Sequence, residues 1–255
     1  MIFTIDVGNT NIVLGVVKDN ELLECFRMRT DWRKTSDEYA IMIREFITYL
    51  NIKKADINGA IICSVVPGLN PILETMLKKH FNITPLFVGP GLKTGIELHM
   101  PNPREVGPDI LVGIVAAGNK YGFPTIVVDM GTATTLAFCD DHKTFQGGII
   151  ISGIRTAFNE LVSKTSMLQN VAFIAPKNVI NPGTVEALQS GAVYGYACMI
   201  DGLIKKIKAE RGDARVVLTG GEAKIIKDYL EEDVIYDDDL VSEGLIMLYN
   251  KNIKK

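Results

Sequence analysis

The chain has 255 residues, 47% hydrophobic and 22% charged, a composition that excludes intrinsic disorder and suits one large or two small globular domains. Its 27 Lys and Arg against 30 Asp and Glu give a net charge of −3, so it lacks the basic surplus that marks nucleic-acid binders, and no nucleic-acid partner is expected. It has no run of about 18 apolar residues, so no membrane partner is expected either.

Apolar runs at 2–5 and 12–17 flank the polar turn Asp6-Val7-Gly8-Asn9-Thr10-Asn11, which predicts two strands joined by a turn. Residues 21–29 alternate weakly and predict a third strand. Over 36–50 the apolar positions Tyr39, Ile43, Phe46, Ile47 and Leu50 recur at helical spacing. A short buried strand over 59–66, a helix over 69–80 and a strand over 85–88 follow. Residues 89–95 and 100–108 are rich in Gly and Pro and irregular, a kind of loop that more often serves function than not. A helix is expected over 105–121.

From Thr125 the opening pattern returns: an apolar run, then Asp129-Met130-Gly131-Thr132-Ala133-Thr134, then a second apolar run. Asp6 and Asp129 lie 123 positions apart, as do Gly8 and Gly131. This reads as a duplication, dividing the chain into domains 1–117 and 118–255. The second half continues with a strand over 145–151, helices over 153–164 and 184–211, a strand over 215–218, and helices over 222–230 and 240–250. The class is α/β. Residues 237–239 read as a solvated acidic turn.

The two turns suggest phosphate binding. Gly8 permits a positive φ or a close backbone approach, and the N–H groups with Asn9, Thr10 and Asn11 can donate to phosphate oxygens. An ionised Asp6 cannot donate, but it can hold Mg²⁺. Taken singly, such a turn is equally a plain Asx-type hairpin turn. Gly131 to Thr135 offers a second small, hydroxyl-rich turn, and Thr219-Gly220-Gly221-Glu222 a third loop, otherwise an ordinary strand-to-helix turn. Asp109 and Thr184 each open a helix, either as N-caps or as groups aimed at a substrate. Gly191, Gly195 and Gly202 lie in a predicted helix interior, where each costs about 1 kcal/mol. A compensating close helix contact, within the chain or across a dimer, is expected there. Cys25, Cys63, Cys139 and Cys198 are far apart with no CxxC pair and are expected to be buried small residues in a reducing cytoplasm. With only three histidines, no His-rich metal site is expected.

Four motifs, in order and in register, carry a resemblance: Asp6-Val7-Gly8-Asn9-Thr10-Asn11; Asn102-Pro103-Arg104-Glu105-Val106-Gly107 followed by Asp109; Asp129 with Gly131-Thr132-Ala133-Thr134; and Thr219-Gly220-Gly221. Together they resemble the type III pantothenate kinases, which overlap with the Bvg accessory factor family. The resemblance implies two ribonuclease-H-like (actin-like, hexokinase-like ATPase) domains facing across a cleft. It implies ATP-dependent phosphorylation of pantothenate to 4'-phosphopantothenate, the first step of coenzyme A biosynthesis, by a cytoplasmic homodimer. On this basis Asp6, Val7, Gly8, Asn9, Thr10, Asn11, Ile12, Val13 and Thr132 are expected to bind ATP, with Mg²⁺ at Asp6. A monovalent cation, K⁺ or NH₄⁺, is expected at Asp129. Asp109 is the expected proton acceptor, and Met100, Gly107, Pro108, Asp109, Ile110 and Thr184 fall at substrate positions.

Two positions depart from the family pattern. Ile110 stands where an Arg is usual, and Met100 where a Tyr is usual. Pantothenate is a carboxylate, and a charged hydrogen bond to it is worth roughly 1.5–3 kcal/mol. Arg104 or Arg155 could supply the cation instead. The altered acceptor side leaves two alternatives open: a phosphotransferase for another small alcohol, or a nucleotide-binding regulatory partner.

Overall fold

The structure is a computed structural model that describes residues 1–168 and 170–253. The chain divides into two compact units. The first comprises Met1–Gly95, Asn102–Ala116 and the segment from Leu240 onward. The second comprises Ile96–Pro101 and Ala117–Asp239.

The sheet of the first unit contains β1 (Ile2–Val7), β2 (Asn11–Lys18), β3 (Glu21–Arg29), β4 (Gly59–Ser64) and β5 (Leu86–Phe87), in the order β3-β2-β1-β4-β5. β1, β2 and β3 form an antiparallel meander, while β4 pairs parallel to β1 and β5 parallel to β4. Side chains alternate across a strand, so Phe3, Ile5 and Val7 of β1 enter one core while Asp6 lies on the opposite face. Helices α1 (Ser36–Tyr49) and α2 (Asn70–Phe81) fill that core with Tyr39, Ile43, Leu73, Met76 and Leu77. A capping box starts α1: Glu38 N–H donates to Thr35 Oγ1 and Thr35 N–H donates to Glu38 Oε2.

The sheet of the second unit contains β6 (Glu97–Leu98), β7 (Thr125–Met130), β8 (Ala133–Cys139), β9 (Thr144–Ser152), β10 (Arg215–Thr219) and β11 (Val234–Tyr236), in the order β11-β10-β7-β8-β9-β6. Without β6 this repeats the first sheet strand for strand, including which pairs are antiparallel and which parallel. The duplication legible in two short turns therefore extends to the whole topology. The second hairpin is one residue tighter: Asp6 pairs with Val13, whereas Asp129 pairs with Thr135. Ile126, Val128 and Met130 enter the second core, and Asp129 again takes the opposite face.

Several expectations need correction. α3 spans Pro108–Tyr121 and begins at the proline, since Pro suits the first helical turn; residues Pro103–Glu105 form a separate 3-10 turn. α4 spans Ile154–Ser163. The helix expected over 184–211 is α5 (Thr184–Ser190), a π segment (Gly191–Gly195) and α6 (Tyr196–Arg211) in succession. A Cβ at Gly191, Gly195 or Gly202 would meet nothing within 4 Å, so the expected close contact is not supplied among the described residues. Gly191 and Gly195 instead bracket a locally widened turn, while Gly202 lies within α6. α7 is only Ala223–Ile226, followed by a 3-10 turn over Lys227–Tyr229.

The boundary at 117/118 falls inside α3. The closing helix α8 (Leu240–Ile253), grouped with the second half by its sequence position, packs on β1 and β4 of the first unit. The last two positions of the expected domain 118–255 lie outside the described residues. Asp237 is buried rather than solvated: Lys120 Nζ lies 2.5 Å from its Oδ2, and Tyr121 O–H donates to the same oxygen at 2.8 Å. Of the cysteines, Cys63 and Cys139 are buried, Cys25 is half-buried and Cys198 is exposed. Burial pushes the Cys139 thiol up to about 12, so it stays protonated at neutral pH.

Gly244 lets α8 lie directly on α3, within the first unit. A Cβ there would sit 2.6 Å from the Val112 carbonyl oxygen and 2.8 Å from Val112 Cγ1. Gly244→Ala is expected to destabilise by about 1–3 kcal/mol, as overpacking does. A lowered midpoint in urea unfolding would register it.

Candidate active site

In the first unit, residues 6–13 form one hairpin end. Gly8 N–H donates to the Asn11 carbonyl at 3.0 Å and closes the turn. Gly8 is not in the left-handed region; its need for no side chain is steric, since a Cβ would lie 3.1 Å from the Asn11 oxygen. Val7 and Ile12 are core side chains, so they can offer a ligand only backbone. Asn9 and Thr10 are exposed, while Asp6, Asn11 and Val13 are half-buried. Thr30, which the sequence reading did not single out, donates its hydroxyl to the Gly8 carbonyl at 2.6 Å and its N–H to the Thr10 carbonyl at 3.0 Å. A meander brings the end of its third strand back beside the first turn, and that was the available signal.

Also in the first unit, Asp109 is the second residue of α3, one position inside the helix rather than its N-cap. The Ile110 N–H donates to its Oδ1 at 2.9 Å. Burial pushes the Asp109 carboxyl above the usual carboxylate range, against the lowering pull of the backbone N–H groups at Ile110 and at Asp109 itself. A Cβ at Gly107 would lie 2.3 Å from Asp109 Oδ1, so a side chain there would push the carboxylate from its place. Pro108 and Ile110 flank the carboxylate in sequence and are half-buried. Arg104 is exposed, and its guanidinium makes no ion pair or hydrogen bond among the described residues.

In the second unit, three segments converge around the turn after β7. Gly153 N–H and Thr156 O–H both donate to the Thr132 carbonyl, at 3.0 and 2.9 Å. Glu222 N–H donates to the Met130 carbonyl at 3.0 Å. Gly220 has a φ of +97°, and a Cβ there would lie 2.5 Å from Asp129 Oδ1, so only glycine leaves that carboxylate room. Thr132 itself is exposed. Arg155, offered by the sequence as a carboxylate partner, is already committed. Its Nε and Nη2 donate to Glu222 Oε1 and Oε2 at 2.9 and 3.1 Å, and its guanidinium lies 4.7 Å from the Phe173 ring centre. Met100 follows β6 and is half-buried. Thr184 is exposed at the first position of α5, with Gly183 as the N-cap residue. Among the described residues no three His, Cys, Asp or Glu cluster as a metal site, and no helix is long and apolar enough to cross a membrane.

The type III pantothenate kinase family profile matches residues 2–206. The chain belongs to that family. It is 42% identical over 254 residues to a type III pantothenate kinase of Halalkalibacterium halodurans, covering 99% of this chain and 100% of the relative. It is 41% identical over 254 residues to one of an Exiguobacterium species, covering 100% of both. Among solved structures, a conserved Baf family protein from Campylobacter jejuni matches with a TM-score of 0.59, 21% identity and 98% of each chain covered. The inorganic polyphosphate/ATP-glucomannokinase of an Arthrobacter species matches with a TM-score of 0.51, 14% identity, and 98% and 99% covered. The fold is the actin-like, hexokinase-like ATPase fold.

A carboxylate whose pKa is raised by folding supports the fold only while it is protonated. That support is present at acid pH and lost as pH rises through the raised value. Asp109→Asn is therefore expected to melt higher than the native chain at pH 7, with the gap closing on acidification. Parallel thermal melts at pH 7 and at progressively lower pH would show it; equal melting temperatures at pH 7 would contradict the burial of the charge. Gly220→Ala is expected to displace the Asp129 carboxylate and to cut activity far more than Gly8→Ala, as steady-state rates would show.

Proposed function

We propose that this chain transfers the γ-phosphoryl group of ATP to the primary hydroxyl of pantothenate, giving ADP and 4'-phosphopantothenate, the entry step of coenzyme A biosynthesis. The observation that carries the reading is the full-length match to type III pantothenate kinases, joined to a half-buried carboxylate of raised pKa at Asp109.

In this reading, Asp109 accepts the hydroxyl proton as the pantothenate oxygen bonds to the γ-phosphorus and the bond to the β,γ-bridging oxygen breaks. A pKa raised by burial makes the ionised Asp109 carboxylate a stronger base than an ordinary one. The Gly8 to Val13 turn and Thr132 hold the nucleotide through backbone and hydroxyl groups. Asp6 suits Mg²⁺ because that ion takes one or two carboxylates and completes its shell with phosphate oxygens and water. When bound, it would neutralise phosphate charge. Asp129 suits a monovalent cation, since Gly220 lets the strand-end carboxylate keep its place: a Cβ there would lie 2.5 Å from its Oδ1.

The family resemblance gives Gly107, Pro108 and Ile110 of the first unit, and Met100 and Thr184 of the second, to the acceptor. With Ile110 apolar and Arg155 engaged by Glu222, Arg104 is the cation we assign to the pantothenate carboxylate. The open glycine side of the α5–α6 segment is compatible with a homodimer, and the lack of a spanning helix among the described residues with a cytoplasmic enzyme.

Coupled ADP release with saturating ATP, Mg²⁺ and K⁺ tests the reading. Turnover is expected only with pantothenate present. Asp109→Asn is expected to lower kcat by about 10²–10⁴-fold, the usual worth of a general base. Asp129→Asn is expected to lose the stimulation by K⁺. ATP binding without pantothenate-dependent turnover would instead favour another acceptor or a regulatory role.

A further inference from the structure

Thr30 touches the Gly8–Asn11 turn twice and belongs to no motif. Its two donors reach the carbonyls on either side of Asn9 and Thr10: hydroxyl to Gly8 O at 2.6 Å, N–H to Thr10 O at 3.0 Å. The residue is itself anchored. The next residue, Asp31, donates its N–H to the Tyr39 hydroxyl at 3.2 Å, and that hydroxyl lies 2.9 Å from the Asp31 carbonyl. Tyr39 is 0% exposed. A line of contacts thus runs from the core, through Asp31 and Thr30, to the tip of the turn.

The consequence follows from peptide geometry. In a planar trans peptide the C=O and the next N–H point in opposite directions, and the Gly8–Asn9 bond is trans. Drawing the Gly8 carbonyl back to Thr30 therefore turns the Asn9 N–H outward. The same bond removes a carbonyl oxygen that would repel an anion from the outer face. Asn9 is exposed, and its N–H meets no backbone carbonyl in the turn.

We propose that Thr30 is a positioning residue for the phosphoryl donor: by holding the Gly8 and Thr10 carbonyls it aims the Asn9 N–H at an ATP phosphate. This rests on the reading of the turn as the ATP site. Thr30 need not touch the nucleotide.

The test compares Thr30→Val, which keeps shape and loses the hydroxyl, with Thr30→Ser, which keeps the donor. Affinity for a non-hydrolysable ATP analogue is measured by calorimetry, alongside KM for each substrate. Thr30→Val is expected to weaken the analogue by about fivefold, the worth of one hydrogen bond. It should raise the KM for ATP similarly and leave the KM for pantothenate within about twofold. Thr30→Ser is expected to restore native affinity. A purely structural role would lower the melting temperature in both variants without separating the two KM values. If Thr30→Val does not fold, Thr30→Ala provides the same comparison without a branched side chain. A folded Thr30→Val or Thr30→Ala with analogue affinity within twofold of native would overturn the proposal. Native protein that binds no analogue at all would instead overturn the site reading beneath it.

Discussion

A charged carboxylate can end a central strand only where the sheet stops shielding it from water and ligands. Asp6 and Asp129 each occupy the second-to-last position of the strand held between an antiparallel hairpin partner and a parallel neighbour. The three alternate residues of each strand belong to a core, so the carboxylate must take the other face. Ligand sites in α/β proteins gather at the carboxyl ends of strands for this reason: backbone groups run out of partners there, and charge is tolerated. The rest of each site is a set of devices that keep the turn beyond the carboxylate narrow. Gly8 is tight against Asn11 and Gly220 tight against Asp129, while Gly153 has no room beside the Gly131 and Thr132 carbonyls.

Asp109 follows the opposite principle. Asp109 is not at a strand end but in the first turn of a helix, where N–H groups favour a negative charge. Burial overrides that preference and raises its pKa. The chain thus keeps a carboxylate in surroundings that would rather hold it neutral. That tension marks a functional group more often than a structural one. Asp201 is satisfied by two backbone donors, the N–H groups of Glu231 and Glu232.

Much of this architecture was legible in the residues. The bounds of β3 fall where weak alternation placed them, and α1 starts at Ser36 as expected from the stripe that begins at Tyr39. Two Asp-x-Gly turns 123 positions apart anticipated a repeated five-strand topology. What escaped has physical causes. β6 and β11 have two and three residues, too few to show a period. The π segment inside the 184–211 stretch leaves helical spacing almost unchanged. Asp237 looked solvated because an acidic triplet usually is, and its partners Lys120 and Tyr121 lie more than a hundred residues away. Of the site, motif residues were named in advance, Glu222 among them, but Thr30 and the pairing of Glu222 with Arg155 were not, because those are hydrogen bonds between separate segments.

The placement of α8 bears on how the chain is made. The first unit opens at the amino terminus, yet its β1 and β4 are covered by residues that follow the entire second unit. During synthesis the second unit can close as its own residues emerge, while the first waits with one side of its sheet bare until α8 leaves the ribosome. The two halves repeat one topology, but they cannot mature in the order in which they are encoded.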